Sequence, residues 1–329
     1  MGTTELDYRG PRIRVVGCGG AGTNSVHRLV SAGLRAVRTV AVNTDREHLL
    51  RTMCDERVLL GDGAVRGTGG RPEIGARLAS LHEKEVRAAA CGGDLTFVIA
   101  GLGGGTGTGV APLVANWARA SGAVVVGLAT MPFRAEAHRQ EAAGRGVAAL
   151  REACNSLVVL ENDLLMRRVP DLPVDQAFAV MDHMVGEAIR GLTGAMHGRH
   201  LIQLDFPDLK EILRAGGMST ILFGEGDVYA PDTIVESSLK NSLMEADYGT
   251  ATGAIVHMTT GPGVPLRSVD HVLEGLRRRI PREARTVFGV RTDPEFEGAM
   301  RVMTVLTGVH RKAVAARPAE VDIGVPAVA

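Results

Sequence analysis

Lysine is scarce in this chain: of its 37 basic residues only Lys84, Lys210, Lys240 and Lys312 are lysines. No G-K-[ST] occurs, and no lysine falls in any glycine-rich turn. A Walker-type phosphate loop, which reaches the β- and γ-phosphates with a lysine, is thereby excluded. Cysteine is sparse too. Cys18, Cys54, Cys91 and Cys154 are scattered without a C-x-x-C pair, so neither a zinc site nor a disulfide framework is indicated. Net charge is absent, with 37 basic residues against 37 acidic ones, which is not the balance of a nucleic-acid binder. Apolar runs such as "GAVVVGLATM" are far too short to span a bilayer. No charged, apolar leader with a small-residue cleavage site opens the sequence. The expectation is a cytoplasmic chain that binds no nucleic acid and does not insert into a membrane. Its 329 residues suggest about two domains.

Glycine is what the chain does have. "VVGCGGAGTNSV" places Gly17, Gly19 and Gly22 in the spacing G-x-G-x-x-G after a β-branched run, and the acidic Asp45 follows in "TVAVNTD". That is the outline of a dinucleotide-binding turn, but alone it is weak. Apolar runs at 12–17, 37–42, 57–60, 95–100, 123–129 and 156–160 read as strands, with helices starting near Asn24, Pro72, Gly109 and Ala135. Nearly continuous apolar strands separated by helices predict a doubly wound α/β domain with a parallel sheet covered on both faces. Ligands in such sheets bind outside the carboxyl ends of the strands, where every glycine-rich turn of this half falls.

A second run, "GLGGGTGTGVAP" from Gly101 to Pro112, follows another strand and opens another helix. Its missing Cβ atoms let backbone N–H groups converge on an anion, and the following helix adds its positive end. A nicotinamide dehydrogenase needs one such turn. Two in one domain, with "GDGAVRGTGG" (61–70) as a third glycine-rich stretch, suit a longer phosphate chain held by main-chain amides and a metal ion.

Beyond this half, 174–197 reads as a long helix with Ala177, Phe178, Val180, Met181, Met184, Val185, Ala188, Ile189 and Leu192 on one wide apolar face, suited to burial between two domains. Strand–helix–strand units follow in "STILFGEG", "AIVHMTTG", "ARTVFGVR" and "MRVMTVLTGV", with helices near 232–243 and 267–278; they predict a second, α+β domain. Asp208 with Glu211, behind Pro207, reads as a capped helix start. Taken alone, Phe178 fits a core position and Asp182 a solvated one. His183, His197 and His200 lack a ligand spacing and read as surface or packing residues.

The order "VVGCGGAGTNSV", "AVNTD", "GLGGGTGTGVAP", "TMPF", "END", "QAFAVMD", "LDFPDL" resembles the tubulin/FtsZ superfamily, and FtsZ more than tubulin, from about Arg12 to His310. "NSLMEADYGTATGAIVHMTTGP" is similar to the second domain of archaeal members. The resemblance implies a GTP-binding α/β domain at 12–172 after an extension at 1–11, a central helix at 173–200, a catalytic loop with an α+β domain at 201–310, and a short tail at 311–329. It implies that Gly19, Gly20, Ala21 and Gly22 approach the α- and β-phosphates, with Asn24 near the base. Asn43, Thr44 and Asp45 would lie beside the phosphates and the shell of a magnesium ion held mainly by phosphate and water. Gly103, Gly104, Gly105, Thr106, Gly107 and Thr108 would wrap the phosphate tail. Glu136 would reach the ribose, Asn162 the nucleoside, Phe178 would stack on guanine, and Asp182 would accept from the guanine N1–H and exocyclic amine. Asp205 and Asp208 would reach the next subunit's nucleotide and orient the attacking water.

Three departures from the family pattern stand out. Gln203, catalytic with Asp205 and Asp208 by the same resemblance, replaces the usual Asn, which implies slow turnover. Gln140 replaces an arginine that the adjacent Arg139 could supply. The turn "RGTGGRPE", which normally reports the γ-phosphate, is about two residues short. The resemblance implies a GTP-hydrolysing cytoskeletal protein in cell division or shape control, assembling head to tail with itself and drawing on a membrane-adaptor protein. "VDIGVPAV" in the tail reads as a frayed end, with a minimal docking peptide as the rival. The alternative function is a nucleotide-dependent regulatory scaffold with weak polymerisation and little GTPase activity.

Overall fold

A computed structural model describes residues 10–62, 67–164, 171, 173–194, 196, 200–242 and 244–311. The first half folds around six strands: β1 (Ile13–Cys18), β2 (Arg38–Asn43), β3 (Glu56–Leu59), β4 (Leu95–Gly101), β5 (Val124–Met131) and β6 (Ser156–Glu161). They lie in the order β3-β2-β1-β4-β5-β6, and every neighbouring pair is parallel. Alternation explains the two covered faces. Val16, Cys18, Val98 and Ala100 point into one core with Val110, Ala111 and Val114. Val15, Leu95, Phe97 and Ile99 point into the other with Val26, Leu29 and Ile189. This is the doubly wound sheet expected from the apolar runs, and each of the six predicted strands falls within two residues of its observed bounds.

Helix α1 spans Gly19–Ser31, α2 Arg46–Arg51, α3 Pro72–Leu81, α4 Glu83–Ala90, α5 Gly105–Ala120 and α6 Ala137–Ala153. Two helix starts differ from expectation. α1 begins at Gly19 rather than near Asn24, and α5 at Gly105 rather than Gly109, because the glycines form the first helical turns instead of preceding them. The short α2 and α4 gave no periodic signal long enough to read.

Helix α7 (Val174–Gly194) crosses between the two halves. Met181, Val185, Ala188, Ile189 and Leu192 are buried in one cluster with Val26 and Leu29 of α1 and with Ile255, Met303 and Val305 from the second half. A helix buried on both sides in this way is the expected spacer between domains.

The second half contributes β7 (His200–Ile202), α8 (Phe206–Ala215), β8 (Gly217–Asp227), α9 (Pro231–Lys240), β9 (Ala246–Asp247), β10 (Gly253–Thr260), α10 (Leu266–Arg277), β11 (Arg285–Thr292), β12 (Ala299–Thr307) and β13 (His310–Arg311). It is the predicted α+β unit, with one addition. β8 pairs in parallel with β6 over Ser156–Val158, so strands of both halves form one sheet of 11 strands, ending β6-β8-β12-β10-β11-β7, while β9 and β13 pair separately. Among the described residues no helix is long and apolar enough to cross a membrane.

Candidate functional site

Strands β1 and β4 pair in register, Cys18 opposite Ala100, so the two glycine runs that leave their carboxyl ends lie side by side. They interlock through backbone. Gly19 sits at φ 70°, and a Cβ there would lie 2.6 Å from the Gly107 nitrogen. A Cβ on Gly107 would lie 2.5 Å from the Gly101 oxygen, and one on Gly22 would lie 2.3 Å from the Ile99 oxygen. These glycines serve close packing. Gly20 and Gly104 are different: beyond a His48 ring 3.6 Å from a Cβ at Gly20, neither meets anything nearby. Their backbone borders a cleft of about 370 Å³, and α5 opens onto it with the unpaired amides of a helix N-terminus.

The cleft gathers most of the candidate residues. Gly20, Ala21 and Asn24 come from α1, Gly104 from the N-cap of α5 and Gly105 to Gly107 from its first turn, Glu136 and Arg139 from the start of α6, and Phe178 and Asp182 from α7, with Asn162 just after β6. Asn162 is buried, and among the described residues its Oδ1 has no hydrogen-bond partner. A buried acceptor left open costs free energy until a donor fills it, so this wall suits a ligand hydroxyl or amine. Phe178 faces Phe133 with ring centroids 5.9 Å apart, an aromatic wall rather than a core position. Asp182 accepts from Ser25 Oγ and from Arg28 Nη1, two residues of α1 to which the sequence pattern assigns no role.

The rest of the phosphate set is not among the lining residues and is tied together by its own hydrogen bonds. Asn43 Oδ1 accepts from the Thr44 amide at 2.8 Å, Thr44 Oγ1 meets Thr106 Oγ1 at 2.8 Å, and Asp45 caps α2 by accepting from the His48 amide at 3.0 Å. Thr108 Oγ1 accepts from the Gly103 amide at 3.0 Å. Gly19, Gly22, Gly103 and Thr108 are buried and are not among the residues that line the cleft. Gln140 spends its amide on the Pro132 and Phe133 carbonyls, at 3.1 and 2.8 Å. The neighbouring Arg139 lines the cleft, paired with Glu136 at 2.8 Å. Residues 63–66 of the third glycine-rich stretch, His197, and the tail from Lys312 with "VDIGVPAV" lie outside the described residues; of that stretch Thr68 reaches the cleft.

Gln203, Asp205 and Asp208 are not part of this cleft. Gln203 and Asp205 are exposed. Asp205, not Asp208, occupies the N-cap position of α8, without a side-chain cap bond, while Asp208 lies within the first turn. Asp208 accepts from Arg285 at 2.9 Å, and Glu211 pairs with the same guanidinium instead of closing a capping box. Arg285 is aligned across the sheet with Gly253, Thr307, Ser219 and Val158, in the amino half of β6. The cleft opens at the carboxyl end of the same strands. The cleft and the Arg285-bound Asp208 thus lie toward opposite ends of the sheet's strands.

Burial pushes the Cys154 thiol up to about 12 and the Cys18 thiol higher still, so both behave as inert core residues. Among the described residues no group of three His, Cys, Asp or Glu side chains could hold a metal ion.

A second cleft, of about 430 Å³, separates α7 from the sheet of the second half and includes His257, Arg291 and Arg301. Burial, then the Arg291 and His200 charges, lower the His257 pKa to about 4. Because the folded value lies below the unfolded one, the unfolded chain takes up the proton first as pH falls. Stability is therefore full above about pH 6.5 and declines toward pH 4, by at most about 1.4 kcal/mol per pH unit. Urea titrations at pH 7 and 5.5 should show a steeper loss for the parent than for His257→Gln; equal losses would remove this assignment.

Sequence comparisons match the GTPase domain model of the Tubulin/FtsZ family over residues 12–170 and the FtsZ family C-terminal domain model over 217–310. The chain is 40% identical over 306 residues to cell division protein FtsZ 2 of Methanocaldococcus jannaschii, covering 91% of this chain and 80% of that one. This chain belongs to the FtsZ family. A solved empty FtsZ dimer from M. jannaschii superposes with a TM-score of 0.85 at 34% identity, covering 98% of this chain and 97% of that one. A structure of CetZ2 from Haloferax volcanii, a GTPgS-bound protofilament, shares the fold with a TM-score of 0.79 at 23% identity, covering 91% and 94% of the two chains. The GTPase model covers the cleft residues from Gly20 to Asn162, whereas Phe178, Met181 and Asp182 of the cleft, like Asp205 and Asp208, lie between the two matched segments.

Proposed function

We propose that this chain binds GTP in the cleft at the carboxyl ends of β1 and β4, assembles head to tail in the cytoplasm, and hydrolyses GTP between subunits. One observation carries the reading. The cleft and the Asp205–Asp208 segment face opposite ends of the sheet, so these two aspartates can meet a bound nucleotide only when a second copy supplies them.

The α5 amides and the backbone of Gly20 and Gly104 would hold the phosphates, and Asn162, Phe178 and Asp182 the nucleoside. Asp45 caps α2 with one carboxylate oxygen; the other, without a hydrogen-bond partner among the described residues, would face the water shell of magnesium, which when bound neutralises phosphate charge. Asp205 of the next copy would orient the water for in-line attack, with fixed amides stabilising the transferred charge. The cell division role named for the M. jannaschii relative is the cellular setting we assign.

Electron microscopy and sedimentation with GTP and magnesium, paired with phosphate release, test this directly. Filaments that form with GTP, release phosphate and shorten with GDP support it; monomers under every condition overturn it. The scaffold reading has one observation in its favour, since Asp208 is tied to Arg285 and Gln203 replaces Asn. Filaments without phosphate release would select it. At the base, Asp182→Ala should weaken GTP binding by about tenfold to a hundredfold, the value of hydrogen bonds to a charged group. Unchanged affinity by nucleotide titration would remove Asp182 from the guanine site.

A further inference from the structure

Ser25 and Arg28 stand three residues apart on α1 and so share one face of the helix. Each takes a different oxygen of Asp182: Ser25 Oγ donates to Oδ1 and Arg28 Nη1 to Oδ2. The Asp182 carboxylate is nine-tenths buried, and the Arg28 side chain is 39% exposed along the cleft. An ionised carboxylate has about four acceptor sites, so two remain once these partners are counted.

The geometry points to Arg28, with Ser25 in support, as the positioning residue that sets the purine selectivity of this cleft. The inference rests on the reading that Asp182 contacts the base. A guanine edge presents N1–H and the exocyclic amine side by side, and both must find an acceptor in the plane of the ring. The terminal torsion of an aspartate is broad, and a freely turning carboxylate would present both oxygens in that plane only part of the time. Two bonds from one helix, one to each oxygen, remove that freedom before the base arrives. Adenine has no N1–H donor and gains nothing from the alignment. Arg28 therefore acts through Asp182 on GTP and leaves ATP untouched.

Affinities of GTP, ITP and ATP for the purified full chain, measured by competition with a fluorescent GTP analogue, test this. The variants are Arg28→Met, Arg28→Lys, Ser25→Ala, Asp182→Ala and Arg28→Met combined with Asp182→Ala. Arg28→Met should bind GTP about tenfold more weakly at unchanged ATP affinity. ITP, which lacks the exocyclic amine, should lose less than GTP. Arg28→Lys, which keeps a charged donor, should recover part of the selectivity, and Ser25→Ala should lose a smaller part. With Asp182 already replaced, Arg28→Met should change selectivity no further.

Equal weakening of GTP and ATP would show that Arg28 only braces α1 against α7, and would overturn the inference. Tighter GTP binding would show a competitor of the base, and would overturn it as well. Selectivity surviving in Asp182→Ala would defeat the guanine reading itself. Selectivity lost in Asp182→Ala but kept in Arg28→Met would defeat only the role of Arg28. ATP affinity serves as the internal control for folding in every variant.

Discussion

Asp205→Ala should bind GTP as tightly as the parent chain and lose about a hundredfold to ten-thousandfold in turnover. Asp205 holds the N-cap position of α8, yet its side chain makes no cap bond. An aspartate there ordinarily contributes about 1 kcal/mol by accepting from the first turn. A carboxylate that forgoes this at an exposed helix start is left available to a neighbour. Asp208 is less available, since Arg285 holds it at 2.9 Å. Positioned proton acceptors are worth about 10²–10⁴ in rate, and the loss falls in that range if Asp205 orients the attacking water. With no cap bond to lose, the thermal midpoint of Asp205→Ala should match the parent. The site also has two owners. Mixing Asp205→Ala with a chain impaired in nucleotide binding should restore part of the turnover, because some interfaces then pair an intact Asp205 with an intact cleft. Phosphate release against protein concentration decides the matter. Parental turnover in Asp205→Ala, or a rate per chain that ignores concentration, would end the shared-site reading.

The sheet was legible because its central strands are buried on both faces and leave long apolar runs; all seven residues of β4 but Gly101 are buried. The cleft was legible because phosphate-sized turns leave glycine at fixed spacing. Those same glycines misled the helix starts. Gly19 and Gly107 look like turn residues, but their lack of Cβ atoms lets the first turns of α1 and α5 touch. Contacts without a motif stayed hidden. Arg28 and Ser25 reach a carboxylate more than 150 positions away, and Arg285 reaches Asp208 across 77. Neither end of such a pair carries a local pattern that points to the other. The junction of the two halves was equally silent, because three residue pairs between β6 and β8 leave no periodicity of their own.

Two glycines of one run should fail in opposite ways. Gly107→Ala should destabilise the fold by about 3 kcal/mol, because the new Cβ would lie 2.5 Å from the Gly101 oxygen and 3.2 Å from the Cys18 oxygen. Both are backbone atoms at the ends of central strands, with no flexible side chain to move aside, so the cost falls at the upper end of overpacking in a dense core. The α1–α5 seam would have to open, and nucleotide affinity would fall with it. Gly104→Ala meets nothing within 4 Å, and its φ of −89° suits any L-residue, so the fold should keep its stability to within about 0.5 kcal/mol. Its methyl group would instead project beside the phosphates, where close backbone approach is the purpose of the glycine. GTP affinity should drop about tenfold or more in a chain that melts as the parent does. Denaturant titration and nucleotide binding on the two variants separate the roles. If Gly104→Ala proved the unstable one, or if Gly107→Ala kept full stability, the division of this run into a packing glycine and a ligand-facing glycine would be wrong.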